Sequence, residues 1–268
     1  MNTMGKGTYF GRMTSEREVH GILLSEYDYL LPETEWHFHE NPYFMYVLQG
    51  GVWDSNKLQT QICSTGSVVF HNWQEAHFNR LVTKETRGFH LEFDRDWYEA
   101  NQLDVNLWEG SAVMQDPRVH QTMALLYSEF KLNEECSELS IELLTLKLCE
   151  QVQTNRLPSI DSPPVWLNQL KDILHSGAID YNLDTLASIL DIHPVHLSRA
   201  VPKYLATTLG EYVRQLRLKK ALGQLLDHRK SLTAIALDSG FSDQSHFTRT
   251  FKRYFGQTPS QFRKRFRA

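Results

Sequence analysis

The spacing of apolar residues changes along the chain, and the change divides it. Over roughly residues 8–110, short runs rich in aromatic and β-branched side chains recur between Gly, Pro, Asn and Asp: Trp36–His39, Tyr43–Gln49, Ser67–Phe70 and Phe89–Phe93. Such runs read as strands, and many short strands without intervening helices predict a β-sandwich or small barrel. From Asp116 the period becomes helical. Val119, Met123, Leu126, Tyr127 and Phe130 make one apolar stripe over Asp116–Lys131; Ile141, Leu144, Leu148 and Val152 make another over Ser137–Gln153. These two helices either cover the sheet or pack against a second copy. The last hundred residues are helical throughout. Leu209–Asp227 reads as one long helix with Val213, Leu216, Leu225 and Leu226 on its buried side. Gly223 interrupts it at a cost of about 1 kcal/mol relative to Ala, which points to close packing there.

The helical part repeats itself. Ala187-Ser-Ile-Leu-Asp191-Ile-His193-Pro-Val-His-Leu-Ser-Arg199 aligns with Ala236-Leu-Asp-Ser-Gly240-Phe-Ser242-Asp-Gln-Ser-His-Phe-Thr-Arg249, so that His196 matches His246 and Arg199 matches Arg249. In each copy a small alanine sits where two helices cross. A residue tolerant of positive φ (Asp191 or Gly240) then makes the turn. Ser242 suits the N-cap of the second helix and Gly256 the position after it. This is the grammar of a helix-turn-helix unit, whose second helix enters the DNA major groove. On a helical wheel Phe247, Phe251, Tyr254 and Phe255 face the core. Ser245, Arg249 and Lys252 lie opposite, with His246 and Arg253 flanking, and Gln244 stands at the helix start. Gln and Arg have the donor geometry to read adenine and guanine, whereas Lys252 and Arg253 suit phosphates. On the long helix, Arg214, Arg217, Lys219 and Lys220 either pair with acids or touch phosphate.

Total charge hides this. The 268 residues carry 28 basic and 32 acidic side chains, a net of −4 that argues faintly against a nucleic-acid partner. Residues 165–268 hold 16 basic and 8 acidic, a net of +8, whereas residues 1–164 hold 12 and 24, a net of −12. The boundary coincides with Leu157–Pro164, where three of the nine prolines cluster, and such a stretch reads as a linker. The predicted organisation is therefore residues 1–157, a linker at 158–164, and a DNA-binding domain at 165–268. The three cysteines are widely spaced and odd in number. Together with an N-terminus lacking an apolar signal core and the absence of membrane-length apolar runs, they predict a cytoplasmic protein without membrane contact.

The segment Ile235-Ala236-Leu237-Asp238-Ser239-Gly240-Phe241-Ser242-Asp243-Gln244-Ser245-His246-Phe247-Thr248-Arg249-Thr250-Phe251-Lys252-Arg253, followed by Gly256-Gln257-Thr258-Pro259, resembles the signature of the AraC/XylS family of bacterial transcription regulators. The likeness extends through Leu209-Gly210-Glu211-Tyr212 and Arg214–Leu218 and covers about the last hundred residues. The resemblance implies two helix-turn-helix units joined by a long helix, with both recognition helices on one face of double-stranded DNA. Matching contact positions are Val195, His196, Ser198 and Arg199 in the first unit and Gln244, Ser245, His246 and Arg249 in the second. It also implies a homodimer and activation through RNA polymerase, with repression as the other outcome. Three residues depart from the family pattern: Val201, Pro202 and Ala206. Proline inside the first recognition helix predicts that this helix is short or kinked and that the second unit carries more of the specificity.

In the N-terminal part, His37-x-His39-x₃-Tyr43-x₆-Gly50 and Gly66-x₅-Asn72-x-Gln74-x₂-His77 have the spacing of the two cupin motifs. The chain thus resembles a cupin-type sensor fused to an AraC-type domain. The implied fold class is α+β in two domains: an N-terminal cupin-like β-barrel with two helices, and a C-terminal all-α domain with two helix-turn-helix units. Alternation puts His37 and His39 on one strand face and Trp36 and Phe38 on the other. Tyr43 stands at the carboxylate position, and Asn72 and Gln74 replace Pro and Gly. The metal set is therefore incomplete, and no cofactor is expected; a metal on His37, His39 and His77 is the weaker alternative. The favoured reading is a small-molecule effector pocket lined by His37, His39, Tyr43, Tyr46, Trp53, Trp73 and His77, suited to a sugar or an aromatic or other organic acid. A domain that only dimerises is the next reading. A metal-dependent cupin enzyme leaves the repeat unexplained, and no nucleophile elbow, phosphate loop or zincin motif is present, so no enzymatic activity is expected.

Overall fold

The structure is a computed structural model and describes residues 2–73, 75–103, 110–132, 134, 136–156, 164–176, 183–205, 207–227 and 229–265. Eleven strands are described: β1 (Asn2–Met4), β2 (Arg12–Val19), β3 (Ile22–Tyr29), β4 (His37–His39), β5 (Tyr43–Gln49), β6 (Gly51–Asn56), β7 (Thr60–Ser64), β8 (Val68–His71), β9 (His77–Leu81), β10 (Thr86–Phe93) and β11 (Ala112–Val113). The helices are α1 (Arg95–Ala100), α2 (Pro117–Leu132), α3 (Ser137–Arg156), α4 (Val165–His175), α5 (Leu183–Ile189), α6 (Pro194–Leu205), α7 (Leu209–Leu225), α8 (Leu232–Asp238), α9 (Gln244–Phe255) and α10 (Pro259–Arg265). None of them is long and apolar enough to cross a membrane.

Two sheets form the N-terminal part, one ordered β1-β4-β9-β6-β7 and the other β11-β8-β5-β10-β3-β2. They face each other as a sandwich, and among the described residues neither order closes on itself as a barrel does. Strand alternation assigns the two sides of the six-stranded sheet. On β5 the residues Tyr43, Met45 and Val47 turn inward between the sheets, whereas Phe44, Tyr46 and Leu48 join the core under α2 and α3. On β10, Phe89, Leu91 and Phe93 likewise meet the helices, and His90 and Glu92 are the buried residues between them. The helices at Asp116–Lys131 and Ser137–Gln153 are thus α2 and α3, and both contribute to the core that covers the sheet.

Burial is partitioned differently from charge. The first helix-turn-helix unit has its own core, from Leu167, Leu170 and Leu174 on α4 through Leu197 and Val201 on α6 to Tyr212 on α7. The second half of α7 (Leu218, Leu222, Leu225) and helices α8–α10 belong instead to one continuous core with α2, α3 and the six-stranded sheet. Helix α7 is common to both cores. Hydrogen bonds stitch the second unit to α2: Gln121 donates to the Tyr254 carbonyl (3.1 Å), and Gln257 and Arg265 donate to Ser128 Oγ (3.1 and 2.6 Å). The closest approach is backbone to backbone. A Cβ on Gly223 would lie 2.8 Å from the Thr65 carbonyl oxygen, and one on Gly66 would lie 2.9 Å from the Gly223 Cα. The glycine that weakens α7 is the point where α7 crosses the β7–β8 turn. Buried His120 holds that turn from beneath, with its ring nitrogens 2.9 Å from the Gly66 carbonyl and 2.8 Å from that of Met114. Residues 158–163 of the expected linker lie outside the described residues.

Candidate nucleic-acid interface and histidine-lined cavity

In the second unit, the Ser231 hydroxyl caps α8 by accepting from Ala234 N, and Gly240 takes φ 84° in the turn. Helix α9 then starts one residue later than the serine cap predicts. Asp243 is the N-cap, its carboxylate accepting from His246 N at 2.7 Å, and Ser242 bonds sideways to Asp243 and His246. Gly256, at φ 69°, ends the helix. Phe247, Phe251 and Phe255 are buried and Tyr254 is half-buried, which leaves Gln244, Ser245, Arg249, Lys252 and Arg253 exposed and His246 half-exposed. The Thr233 hydroxyl donates to Gln244 Oε1 (2.6 Å) and fixes that side chain at the helix start.

The first unit has the same geometry. Asp191 takes φ 52° at the turn, the conformation of its repeat partner Gly240. Leu197 and Val201 are buried, and Val195, His196, Ser198 and Arg199 are exposed. The expected shortening does not occur: α6 runs twelve residues through Pro202 to Leu205, the length of α9. Pro202 lies exposed in the last turns. The carbonyl it crowds belongs to exposed Ser198 and can tilt toward water. Arg214 has an orienting role. It donates to Glu211 (2.8 and 3.2 Å), whose other oxygen accepts from the Tyr254 hydroxyl, so the start of α7 is tied to the end of α9.

Between the two sheets lies a cavity of about 20 Å³ lined by Tyr9, Tyr29, His37, His39, Tyr43 and His90, among others. His37 and His77 are register partners on β4 and β9. One ligand nitrogen from each of His37, His39 and His77 falls within 4.8 Å of the other two. His37 Nδ1 lies 2.8 Å from the Glu35 carbonyl and His77 Nδ1 3.1 Å from that of Glu75. A carbonyl only accepts, so both Nδ1 atoms carry the proton and both Nε2 atoms keep a lone pair. Tyr43 Oη sits 3.2 Å from His77 Nε2, and His39 Nδ1 is buried without a hydrogen bond. Burial lowers the pKa of all three histidines, with mutual repulsion adding to this at His39 and His77, so the rings are neutral at physiological pH. Neutral imidazoles oriented by backbone carbonyls are the ligand form that a first-row transition metal requires. The cavity has room for an ion and about one water, not for a sugar ring.

A helix-turn-helix domain model matches residues 186–265. Over 81 residues the chain is 43% identical to the probable transcription factor PqrA of Proteus vulgaris, which covers 30% of this chain and 66% of that protein. Over 84 residues it is 37% identical to the regulatory protein SoxS of Salmonella typhimurium, which covers 31% of this chain and 78% of SoxS. The chain belongs to the AraC family of transcription regulators. The match to another relative, the Msm operon regulatory protein of Streptococcus mutans, spans 38% of that protein at 33% identity. The chain therefore covers less than two thirds of the length of PqrA and of this regulator. Among solved structures, apo ToxT from Vibrio cholerae aligns over 93% of this chain and 100% of its own, with a TM-score of 0.42 and 14% identity.

In this AraC-family chain the ten residues expected at DNA lie on the outer faces of α6 and α9. Of the seven residues expected around an effector, the structure brings His37, His39, Tyr43 and His77 together and leaves three elsewhere. Tyr46 is buried on the helix side of the six-stranded sheet. Trp53 pairs with exposed Ile62 and Arg80 on the outer face of the other sheet, with Val52 and Asp54 turned inward. Trp73 is exposed on the β8–β9 loop. His71 and His90 were missed. Both are fully buried, and burial, the largest effect, pushes their pKa down to about 3. His71 stacks on His77 at 4.1 Å, and Tyr9 stacks on His90 at 3.7 Å while its hydroxyl donates to Glu92 (2.9 Å).

Proposed function

We propose that the chain is a sequence-specific DNA-binding transcription regulator, with α6 and α9 as its recognition helices. The observation that carries this reading is the pair Arg199 and Arg249: equivalent in the repeat, exposed, and without an ion pair among the described residues. Phosphate contacts from the basic domain supply much of the affinity. The logarithm of the binding constant should therefore fall with log salt by roughly 0.9 per phosphate neutralised. An affinity independent of salt contradicts this.

In this reading the effector site is the cavity between the sheets together with His77 beside it, and a divalent transition-metal ion on His37, His39 and His77 is the occupant this geometry fits. Tyr43 takes the place of the missing carboxylate beside it. A sugar or organic acid would require Tyr9 and Phe10, which line the cavity, to move aside. Protein purified without added metal and titrated with Co²⁺ should develop visible d–d absorption at one equivalent, and His39→Ala should abolish it. Absence of Co²⁺ binding by the unaltered chain returns the site to the organic-effector reading.

The chain acts as a homodimer through α3. Leu139, Leu143 and Leu146 fall at i, i+4 and i+7 and remain exposed, an apolar stripe along one helix. In sedimentation, Leu143→Asp should be monomeric at concentrations where the parent is dimeric. A dimeric variant rejects this face.

A further inference from the structure

A cleft of about 490 Å³ opens where three parts of the molecule meet. The N-terminal domain contributes Ser64 at the end of β7, Thr65 of the β7–β8 turn, and Gln115. The first helix-turn-helix unit contributes His175 at the end of α4. Helix α7 contributes Lys219 and Lys220. Among the described residues, no Asp or Glu lines this cleft.

Lys219 is half-buried there and makes no hydrogen bond or ion pair among the described residues. Asp116 is the acid that acts on it, and Asp116 is already gripped by Arg118 through contacts of 2.9 and 2.6 Å. Burial, the larger effect, pushes the Lys219 amine down to about 8. A cation withdrawn from water ordinarily has a partner. Here the space in front of it is a ligand-sized hollow with hydroxyl and amide groups on its rim.

We propose that this cleft binds a small metabolite through a terminal oxyanion, a carboxylate or a phosphate, with Lys219 as the anchoring cation and Lys220 and His175 beside it. The position gives the site a consequence. The first unit's core is separate from the body formed by the N-terminal domain and the second unit. An anion held between α4, α7 and the β7–β8 turn ties these two bodies together. The relative orientation of α6 and α9, and with it DNA affinity, becomes dependent on the ligand. This last step rests on the DNA-binding reading; occupancy of the cleft does not.

The test is calorimetric titration of the full chain with citrate and, separately, with inorganic phosphate, at constant ionic strength and with glycerol as the neutral control. Saturable binding with Kd below about 1 mM is expected for at least one anion, and no heat from glycerol. Citrate alone identifies a carboxylate site, phosphate alone a phosphate site, and both a general oxyanion site. Lys219→Gln should weaken binding at least about ten-fold with unchanged circular dichroism. In the unaltered protein the amide signals of Thr65, Gly66 and Gly223 should shift on titration, which keeps the test independent of the variant. Neither anion saturating by about 10 mM, or unshifted amides at those residues, overturns the site. Equal affinity in Lys219→Gln overturns the assignment of the anchor. DNA affinity measured on the same samples tests the coupling separately: anion binding without any change in DNA affinity rejects the coupling and leaves the site standing.

Discussion

Gly223→Ala destabilises the full chain, although it improves the helix it sits in. In an isolated helix the substitution gains about 1 kcal/mol, because glycine has more backbone freedom to lose. At this position the added Cβ arrives 2.8 Å from the Thr65 carbonyl oxygen, inside the distance any real contact tolerates. That oxygen is backbone, in a turn whose Gly66 holds φ 89° and is braced by His120, so it cannot rotate away as a side chain does. The clash is relieved by separating α7 from the β7–β8 turn, which loosens the packing of the second unit on α2. Overpacking of this kind costs typically about 1–3 kcal/mol. The thermal midpoint of Gly223→Ala should fall by several degrees, and Gly223→Val should fall further. A rise in the midpoint would mean that the two domains do not touch here in solution.

Arg249→Ala weakens specific DNA binding by roughly five- to 150-fold, the range for losing one bidentate base contact of about 1–3 kcal/mol. Arg199→Ala should cost less. The shortening of α6 at Pro202 that the sequence suggested does not hold as the reason, because α6 is as long as α9. The difference comes from support. Helix α9 is capped by Asp243, closed by Gly256, and packed through Phe247, Phe251 and Phe255 into the core shared with the N-terminal domain. Helix α6 belongs to a smaller separate core. The end of its turn is held by the His193 ring, which accepts from Val195 N at 3.2 Å. A better-held arginine pays less ordering entropy at the interface. Titration of both variants against one selected site measures the ratio, and a larger loss from Arg199→Ala reverses the assignment.

Much of this architecture is written in local periodicity. Phe89–Phe93 alternates apolar with polar side chains, Tyr43–Leu48 is a short unbroken apolar run, and Val119–Phe130 repeats at helical spacing, so element type and position follow from the sequence. Positive φ at Asp191 was foreseeable from its alignment with Gly240. Alternation separates Tyr46 and Trp53 from the rest of the effector set. Tyr43 and Tyr46 are an odd number of residues apart on one strand and cannot share a face, and Trp53 is flanked by the inward Val52 and Asp54. The same parity would have found His90, which stands between Phe89 and Leu91. His71 carries a weaker signal, because it ends its strand and joins the histidine cluster only through pairing with Tyr43 and stacking on His77. The shared core was not legible at all. Charge changes sign at the linker, whereas packing joins the second unit to α2 through Gln121 and Ser128, and α7 to the β7–β8 turn through Gly66 and Gly223, far apart in sequence. Gly223 carried the one hint, a helix breaker with no local purpose.

In the function proposed above, two recognition helices of one chain engage one face of DNA. Hydroxyl-radical footprinting of the full chain on a site selected from random duplexes tests it most directly. Each protomer should protect two segments about one helical turn apart, roughly 10 base pairs centre to centre, on the same face, with Arg249→Ala removing one and Arg199→Ala thinning the other. A single protected segment that both variants abolish together, or no sequence-selective protection at all, would contradict it.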